Sequence, residues 1–529
     1  MSGCNDSLRP PVKKSLFSPQ VTRLLEVGCI GAVFLFYVLL KAKTLRITAA
    51  DEGVYFYAAK LWLSGLMPYR DFFISHPPLH LLESLMPMAL FGVNIRLFNA
   101  IPSLFLSSAS GFLVFRIAKR EWGFLAGFLS ALFFLFSSNQ VLQSNHMTGI
   151  NLTLFFLLSG LDAFLLSSYL ISGVCLGAGF MSGAYALPGF LLLALVALLT
   201  RPSSLRPFAT GFLAIVVPFH LLFLLLAGRA FIEDVYLYHL AKAANSPYFA
   251  NVPSVMIAFV REERWLVFPA LLGIHMFFFS QFLKKKTLLP LSSSLAALSC
   301  LFLTDYLLFF SLMSRVFRHY LLLAIPFGAL LAVFGLLTLY SVSLPISKKK
   351  SWIQTLYQSL VACGIGATFS WFLLASIAPY GRVAFTYVFS GAHDVALYLQ
   401  KTLAPGETLY GDFGVTPTVA LLSGIRIAAN EVDSSIMRFE KGFSSPEKVI
   451  EALENDHIGA LIIRQGTDIE LEPTFRKYSQ MYFTPTMDFV GADSSGSVEV
   501  WLRKKNVPFT GVPSVTVESH PPVHEIPSR

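Results

Sequence analysis

Charge is scarce in this 529-residue chain. Asp, Glu, Lys and Arg together make up 13% of it, roughly half of what a soluble globular protein carries at about 25%. A chain so poor in charge cannot wet the surface of a protein this long, and apolar residues fill the gap at 55%, with 50 Phe. That is the composition of a membrane protein. Cysteine is scarce too: Cys4, Cys29, Cys175, Cys300 and Cys363 lie in the N-terminal tail or in apolar segments. None follows Cys363, which excludes a disulfide framework or a thiolate zinc site from the C-terminal part. The first apolar run also lacks a small-residue cleavage site leading into a soluble remainder, and further apolar runs follow, so it is expected to be a retained first span.

The charge that remains is unevenly divided. There are 27 Lys+Arg against 13 Asp+Glu before Tyr380, and 13 against 18 from Tyr380 onward. The basic excess therefore belongs to the apolar part, where Lys and Arg orient loops, and it gives no support to nucleic-acid binding.

Runs long enough to cross a hydrocarbon core recur at 24–40, 97–115, 122–138, 150–167, 208–227, 266–283, 288–312, 320–340 and 353–377. The stretch 169–199 is apolar but punctuated by Gly173, Gly177, Gly179, Gly183 and Pro188. At about 1.5 Å per residue it is too long for one span and slightly short for two, so a short helical hairpin is expected. The sum is a polytopic α-helical protein with about 11 transmembrane helices. Lys13 and Lys14, Arg116, Lys119 and Arg120, Arg201 and Arg206, Lys284 to Lys286 and Lys348 to Lys350 all fall on one side, in short loops with few acids. By the positive-inside rule that side is cytoplasmic. The expected layout is an inner tail 1–23, a membrane module 24–379 with a large first outer loop 41–96, an extracytoplasmic domain 380–505 and a disordered tail 506–529.

The outer segments hold the candidate chemistry. Asp51 and Glu52 are neighbours in the first outer loop, and a carboxylate at the membrane edge can take a proton from a hydroxyl. The same pair also suits a plain helix start, since DEGVYFYAAKLWLSG reads as a helix stopped at Gly65 with its acids at the positive end. Beyond Tyr69-Arg70-Asp71, the turn Ser75-His76-Pro77-Pro78 opens an amphipathic segment, Pro being at home in a first helical turn. His76, with His80 four residues on, is placed to hold a phosphate or a metal; an interfacial helix with ordinary polar caps is the alternative. Arg315 and Arg318 are one helical turn apart and suit phosphate oxygens, or they snorkel at the interface; Arg261 and Arg264 repeat that spacing and are rather expected to snorkel or to pair with Glu262, Glu263 or neighbours. Asp305 sits inside an apolar run, where an acid is a functional suspect, or else bonds a neighbouring helix.

The acidic pair after the first span, the Pro68-Tyr69-Arg70-Asp71 segment and the His76-Pro77-Pro78 turn resemble the C-type (GT-C) glycosyltransferases, in particular the protein mannosyltransferase and aminoarabinose transferase branch. Arg318-His319-Tyr320-Leu321-Leu322 and Ala324-Ile325-Pro326 add weaker support. The resemblance implies a GT-C fold and inverting transfer of a sugar from a polyprenyl-phosphate donor, at the outer face of a cell membrane, to a protein, lipid or glycan acceptor. It implies Asp51 as the catalytic residue with Glu52 its acidic neighbour; donor or acceptor binding is expected of Arg70, His76, His146, Asp305, Arg315, Arg318, His319 and Tyr320. A divalent metal ion, with Glu52 and His76 as its candidate ligands, is the cofactor the resemblance suggests; against it, His76 stands where the aminoarabinose branch has a phosphate-contacting Lys and Ser75 where it has a metal-contacting Glu, two departures from that branch's metal and phosphate pattern. The second acid common in the family's next outer loop is absent, since 137–149 offers only Asn139, Gln140, Gln143, Asn145 and His146. A transporter or lipid-linked glycan flippase, for which a broken Gly-rich hairpin also suits a moving path, and a glycan ligase are the rival classes.

The C-terminal part alternates differently. A helix from His393, a strand near 407–410, a helix over 417–423, a Ser-capped helix in SSPEKVIEALENDH and a buried strand over 460–463 predict a small soluble α/β domain with a mainly parallel sheet. Gly411-Asp412-Phe413-Gly414 lacks the spacing of a nucleotide fingerprint.

Overall fold

The computed structural model describes residues 18–42, 50–94, 97, 99–244, 252–282, 293–313, 316–342, 352–383, 391–464, 466, 471–490 and 497–505. Arg315, the orienting lysines 13, 14, 284–286 and 348–350, and the tail 506–529 lie outside the described residues. The chain divides into two compact units, 1–70 with 74–388, and 71–73 with 389–529.

The first unit is built of helices: α1 (Pro19–Ala42), α2 (Ala50–Leu63), α3 (Leu82–Phe91), α4 (Ser107–Trp122), α5 (Phe124–Leu135), α6 (Ser138–Gln143), α7 (Ile150–Leu165), α8 (Tyr169–Ser182), α9 (Leu187–Thr200), α10 (Pro202–Ala227), α11 (Arg264–Phe282), α12 (Ser293–Ser311), α13 (Ile325–Val342) and α14 (Trp352–Val383). Among the described residues, five stretches, Arg23–Ala42, Ile101–Trp122, Pro202–Ala227, Ser294–Ser311 and Ser359–Ala378, are long and apolar enough to cross a membrane, and six shorter apolar helices occupy the other expected segments. Leu and Val side chains stay exposed along α1 and α10, and Leu and Trp along α14, as a lipid solvent allows.

The glycines of 169–199 serve packing. A 3-10 turn at Ala184–Ala186 does separate α8 from α9, but a Cβ on Gly173 would fall 2.0 Å from the Phe208 carbonyl oxygen, and one on Gly211 only 2.1 Å from that of Leu170. Helices α8 and α10 thus meet backbone to backbone, the close approach that small residues permit where burial against lipid supplies no drive.

In the second unit come α15 (Ala392–Thr402), β1 (Thr408–Gly411), α16 (Thr416–Ser423), α17 (Pro446–Asn455), β2 (Ile458–Arg464), α18 (Pro473–Tyr482), β3 (Phe483–Val490) and β4 (Ser497–Arg503). Ser445 caps α17 through the Lys448 N–H at 3.3 Å, as its sequence predicts. The sheet, in order β1-β2-β4-β3, is mixed: only β1 and β2 are parallel, while β4 runs antiparallel to both β2 and β3. The expected mainly parallel sheet is corrected by this last pair, which is antiparallel and so needs no crossover helix. Arg503 clamps it to α17, donating to both Glu454 oxygens at 2.6 and 2.7 Å.

Candidate active site

Helix α2 begins on the acidic pair and ends before Gly65, whose φ of +97° suits a residue without Cβ. Consecutive helical side chains diverge by about 100°, and here they part company: Asp51 is exposed, whereas Glu52 is fully buried and accepts the Met147 N–H on Oε1 at 3.1 Å. The helix-start reading fits the position of both acids and the exposure of Asp51, but not the burial of Glu52. One turn on, the Tyr55 hydroxyl lies 2.8 Å from His76 Nε2. Tyr69, held at φ +69° with its ring buried against Phe223 and Phe231, donates its hydroxyl to the His76 carbonyl at 2.7 Å. Two tyrosines thus fix His76 beside the acidic helix.

The prolines open a 3-10 turn, Pro78–Leu81, that runs into α3, and this stacks the His76 and His80 rings at 4.1 Å with planes 7° apart. An imidazole binds a metal in its own ring plane, and two parallel planes share no such point, so His76 and His80 do not fit as joint ligands. His239 joins them, its ring 5.6 Å from His76 and its Nε2 2.6 Å from the Ser75 carbonyl oxygen. Among the described residues no three His, Cys, Asp or Glu side chains are grouped to hold a metal ion. With Glu52 turned into the core and His76 stacked, the two suggested ligands do not form a site, and no step is derived through a metal.

The other wall comes from distant segments. His146, in the turn before α7, faces His319 at 6.0 Å between rings; His319 meets Tyr320 edge-on at 4.7 Å, and Tyr320 lies 4.6 Å from Tyr185. Tyr306 on α12 holds the Tyr185 carbonyl at 3.2 Å. Asp51 is within electrostatic range of both Tyr185 and Tyr320. Burial pushes His80 down to about 3, His146 to about 4 and His319 to about 3. At neutral pH these imidazoles are uncharged, fit for hydrogen bonding rather than for pairing a phosphate.

The remaining residues singled out by sequence are placed as follows. Arg318, about half exposed, is ion-paired with Glu262 at 2.9 Å. Arg70 is exposed in the turn after Tyr69. Asp305, partly buried on α12, lies next to Tyr306, whose ring is buried on the same face as Phe302 and Phe310. Glu263 is taken up by Asn139, accepting from its backbone N–H and, at 3.1 Å, from Nδ2; it does not pair with Arg261 or Arg264 as adjacency led one to expect. Tyr185, His239 and Glu83 enter the site unannounced. Tyr185 carries no polar signature in an apolar run, and His239 follows a segment of mixed character, but Glu83 is a lone acid within an apolar stretch, and that was a legible signal.

The architecture matches solved proteins over nearly its whole length. ArnT from Cupriavidus metallidurans, an aminoarabinose transferase bound to undecaprenyl phosphate, superposes with a TM-score of 0.60 at 16% identity, covering 93% of this chain and 99% of that one. This chain has the GT-C glycosyltransferase fold. An oligosaccharyltransferase from Archaeoglobus fulgidus gives a TM-score of 0.56 at 12% identity over 93% of this chain and 76% of its own. The same archaeal enzyme in complex with zinc and sulfate gives 0.54 at 13%, over 89% and 73%. No protein-family model and no curated protein sequence matches the chain. The GT-C likeness is thus one of architecture.

Proposed function

We propose that this protein is a membrane glycosyltransferase that moves a sugar from a polyprenyl-phosphate donor to an acceptor hydroxyl, with inversion, using Asp51 as general base. The observation that carries this reading is that Asp51 is the exposed member of the acidic pair, near Tyr185 and Tyr320, on a fold shared with a protein bound to undecaprenyl phosphate. In the proposed step the Asp51 carboxylate takes the hydroxyl proton as that oxygen attacks the anomeric carbon. The bond from that carbon to the phosphate oxygen breaks on the opposite face, and its electron pair leaves with the phosphate. Growing negative charge there calls for fixed cations, and Arg318, released from Glu262, with Arg315 and Arg70 are the proposed sources. The uncharged His146 and His319, with Tyr185 and Tyr320, are suited to sugar hydroxyls.

The proposed placement has all eleven apolar helices crossing the membrane, residues 1–23 in the cytoplasm, the 24–379 module carrying the site at its outer face, and the 380–505 domain outside. Asp51→Asn keeps the shape of the side chain but removes the base, so turnover on a panel of radiolabelled lipid-phosphate sugars should fall by about 10² to 10⁴. Undecaprenyl phosphate binding should stay near the wild-type value. Wild-type turnover in Asp51→Asn would sink the proposal, and transport without sugar transfer would instead identify a flippase.

A further inference from the structure

Behind the exposed acid stands a buried one on another helix. Glu83, in the first turn of α3, is 1% exposed and uses both oxygens: Oε1 accepts the Leu152 N–H at 2.7 Å and Oε2 the Gly149 N–H at 3.1 Å. These are opening donors of α7, which have no partners within their own helix, so a carboxyl group from α3 caps α7. The turn it grips is pressed against the site. Gly149 has φ +71°, and a Cβ there would fall 2.1 Å from His80 Nδ1. His80 stacks on His76, and the hydroxyl of Tyr55, one turn beyond Asp51, lies against His76. Glu52 grips the same turn at Met147. The 147–152 turn is therefore held from both sides, by one acid of α2 and one of α3, and it carries His146 at its edge.

We propose that Glu83 is a positioning residue for the Asp51 centre, clamping the 147–152 turn against His80 and so fixing the His76–His80 stack and His146 relative to Asp51. This rests on the glycosyl-transfer reading above. A cap that merely stabilised α7 would share the hydrogen bonds but would not couple to His80 or to the chemical step.

The test uses the full chain in lipid nanodiscs with Glu83→Gln, which replaces one acceptor oxygen by an NH2 group that can only donate, and Glu83→Asp, which keeps both oxygens on a shorter stem. Diethyl pyrocarbonate labelling of His80 at pH 7, read by peptide mass spectrometry against the exposed His393, reports the clamp without any substrate. In Glu83→Gln the His80:His393 labelling ratio should rise about tenfold and kcat should fall about 10- to 100-fold, the scale of a misplaced catalytic geometry, with KM for the lipid-phosphate sugar nearly unchanged. Glu83→Asp should lie between wild type and Glu83→Gln in both readouts and remain folded. An unchanged labelling ratio in both variants overturns the clamp, and a raised ratio with wild-type kcat overturns the positioning role. Because labelling needs no substrate, it reports on Glu83 even where Asp51→Asn retains turnover and the transferase reading itself fails.

Discussion

Replacing Glu52 separates the work of two neighbouring acids. Its carboxylate is fully buried and accepts the Met147 N–H at 3.1 Å, so Glu52→Ala leaves that donor without this acceptor in a dry site. A hydrogen bond is worth about 0.5–1.5 kcal/mol net and an orphaned buried donor costs about 1–3, overlapping amounts that with a small cavity point to a loss of roughly 2–4 kcal/mol. Glu52→Gln keeps the shape and one acceptor oxygen, and should cost only about 1 kcal/mol. Exposed Asp51 is different: Asp51→Asn should leave stability within about 0.5 kcal/mol while turnover collapses. Unfolding titrations in mixed micelles, followed by tryptophan fluorescence, measure the first quantity, and lipid-phosphate sugar turnover measures the second. A Glu52→Gln protein with wild-type unfolding but about 10²-fold lower kcat would place Glu52 at the chemistry and refute the division of roles.

Two further outcomes are expected. His80, His146 and His319 are depressed by burial from 6.5 to about 3, 4 and 3, so their stabilising contribution is present above 6.5 and is lost as pH falls; burial raises Glu83 and Glu263 from 4.5 to about 8 and 7, so theirs is present below 4.5 and is lost as pH rises through those values. The apparent melting temperature measured across this range should therefore peak near pH 6.5, and a steady climb through pH 8 would contradict these shifts. For the proposed orientation, a reporter active only in the cytoplasm, fused after Ser390, should be silent; a strong signal there would move the second unit, and the proposed outer site with it, to the inner side.

The helices were legible because a bilayer leaves the chain few options: backbone groups in hydrocarbon must bond within the segment, so apolar runs become helices. The stop of α2 at Gly65 and the hairpin break before Ala184 could also be read locally. The glycines of 169–199 were read as breaks, because nothing in that stretch says that Gly173 will lie against the Phe208 carbonyl of a helix still to come. Likewise the antiparallel end of the sheet depends on which edge β4 joins.

Within the site, the adjacent acids and the His-Pro-Pro turn made Asp51, Glu52 and His76 candidates, and the family resemblance alone ranked Asp51 first; which acid would be exposed could not be read, because the rotation of α2 about its axis is set by what packs around it. His146 and His319 were visible as outer-loop histidines, yet their 6.0 Å approach is a property of the bundle. Glu83 is the instructive case. Helix α7 starts at Gly149-Ile150, and its N-cap glycine supplies no side-chain acceptor, although the opening N–H groups of a buried helix must be satisfied. A helix start with no Ser, Thr, Asp or Asn of its own at the cap has to borrow an acceptor, and a lone acid in the apolar run after Pro78 is the kind of group that can lend one. The missing cap and the misplaced acid were both on view in the sequence; what it withheld was that they answer each other, and that His80 lies between the turn they form and the helix of Asp51.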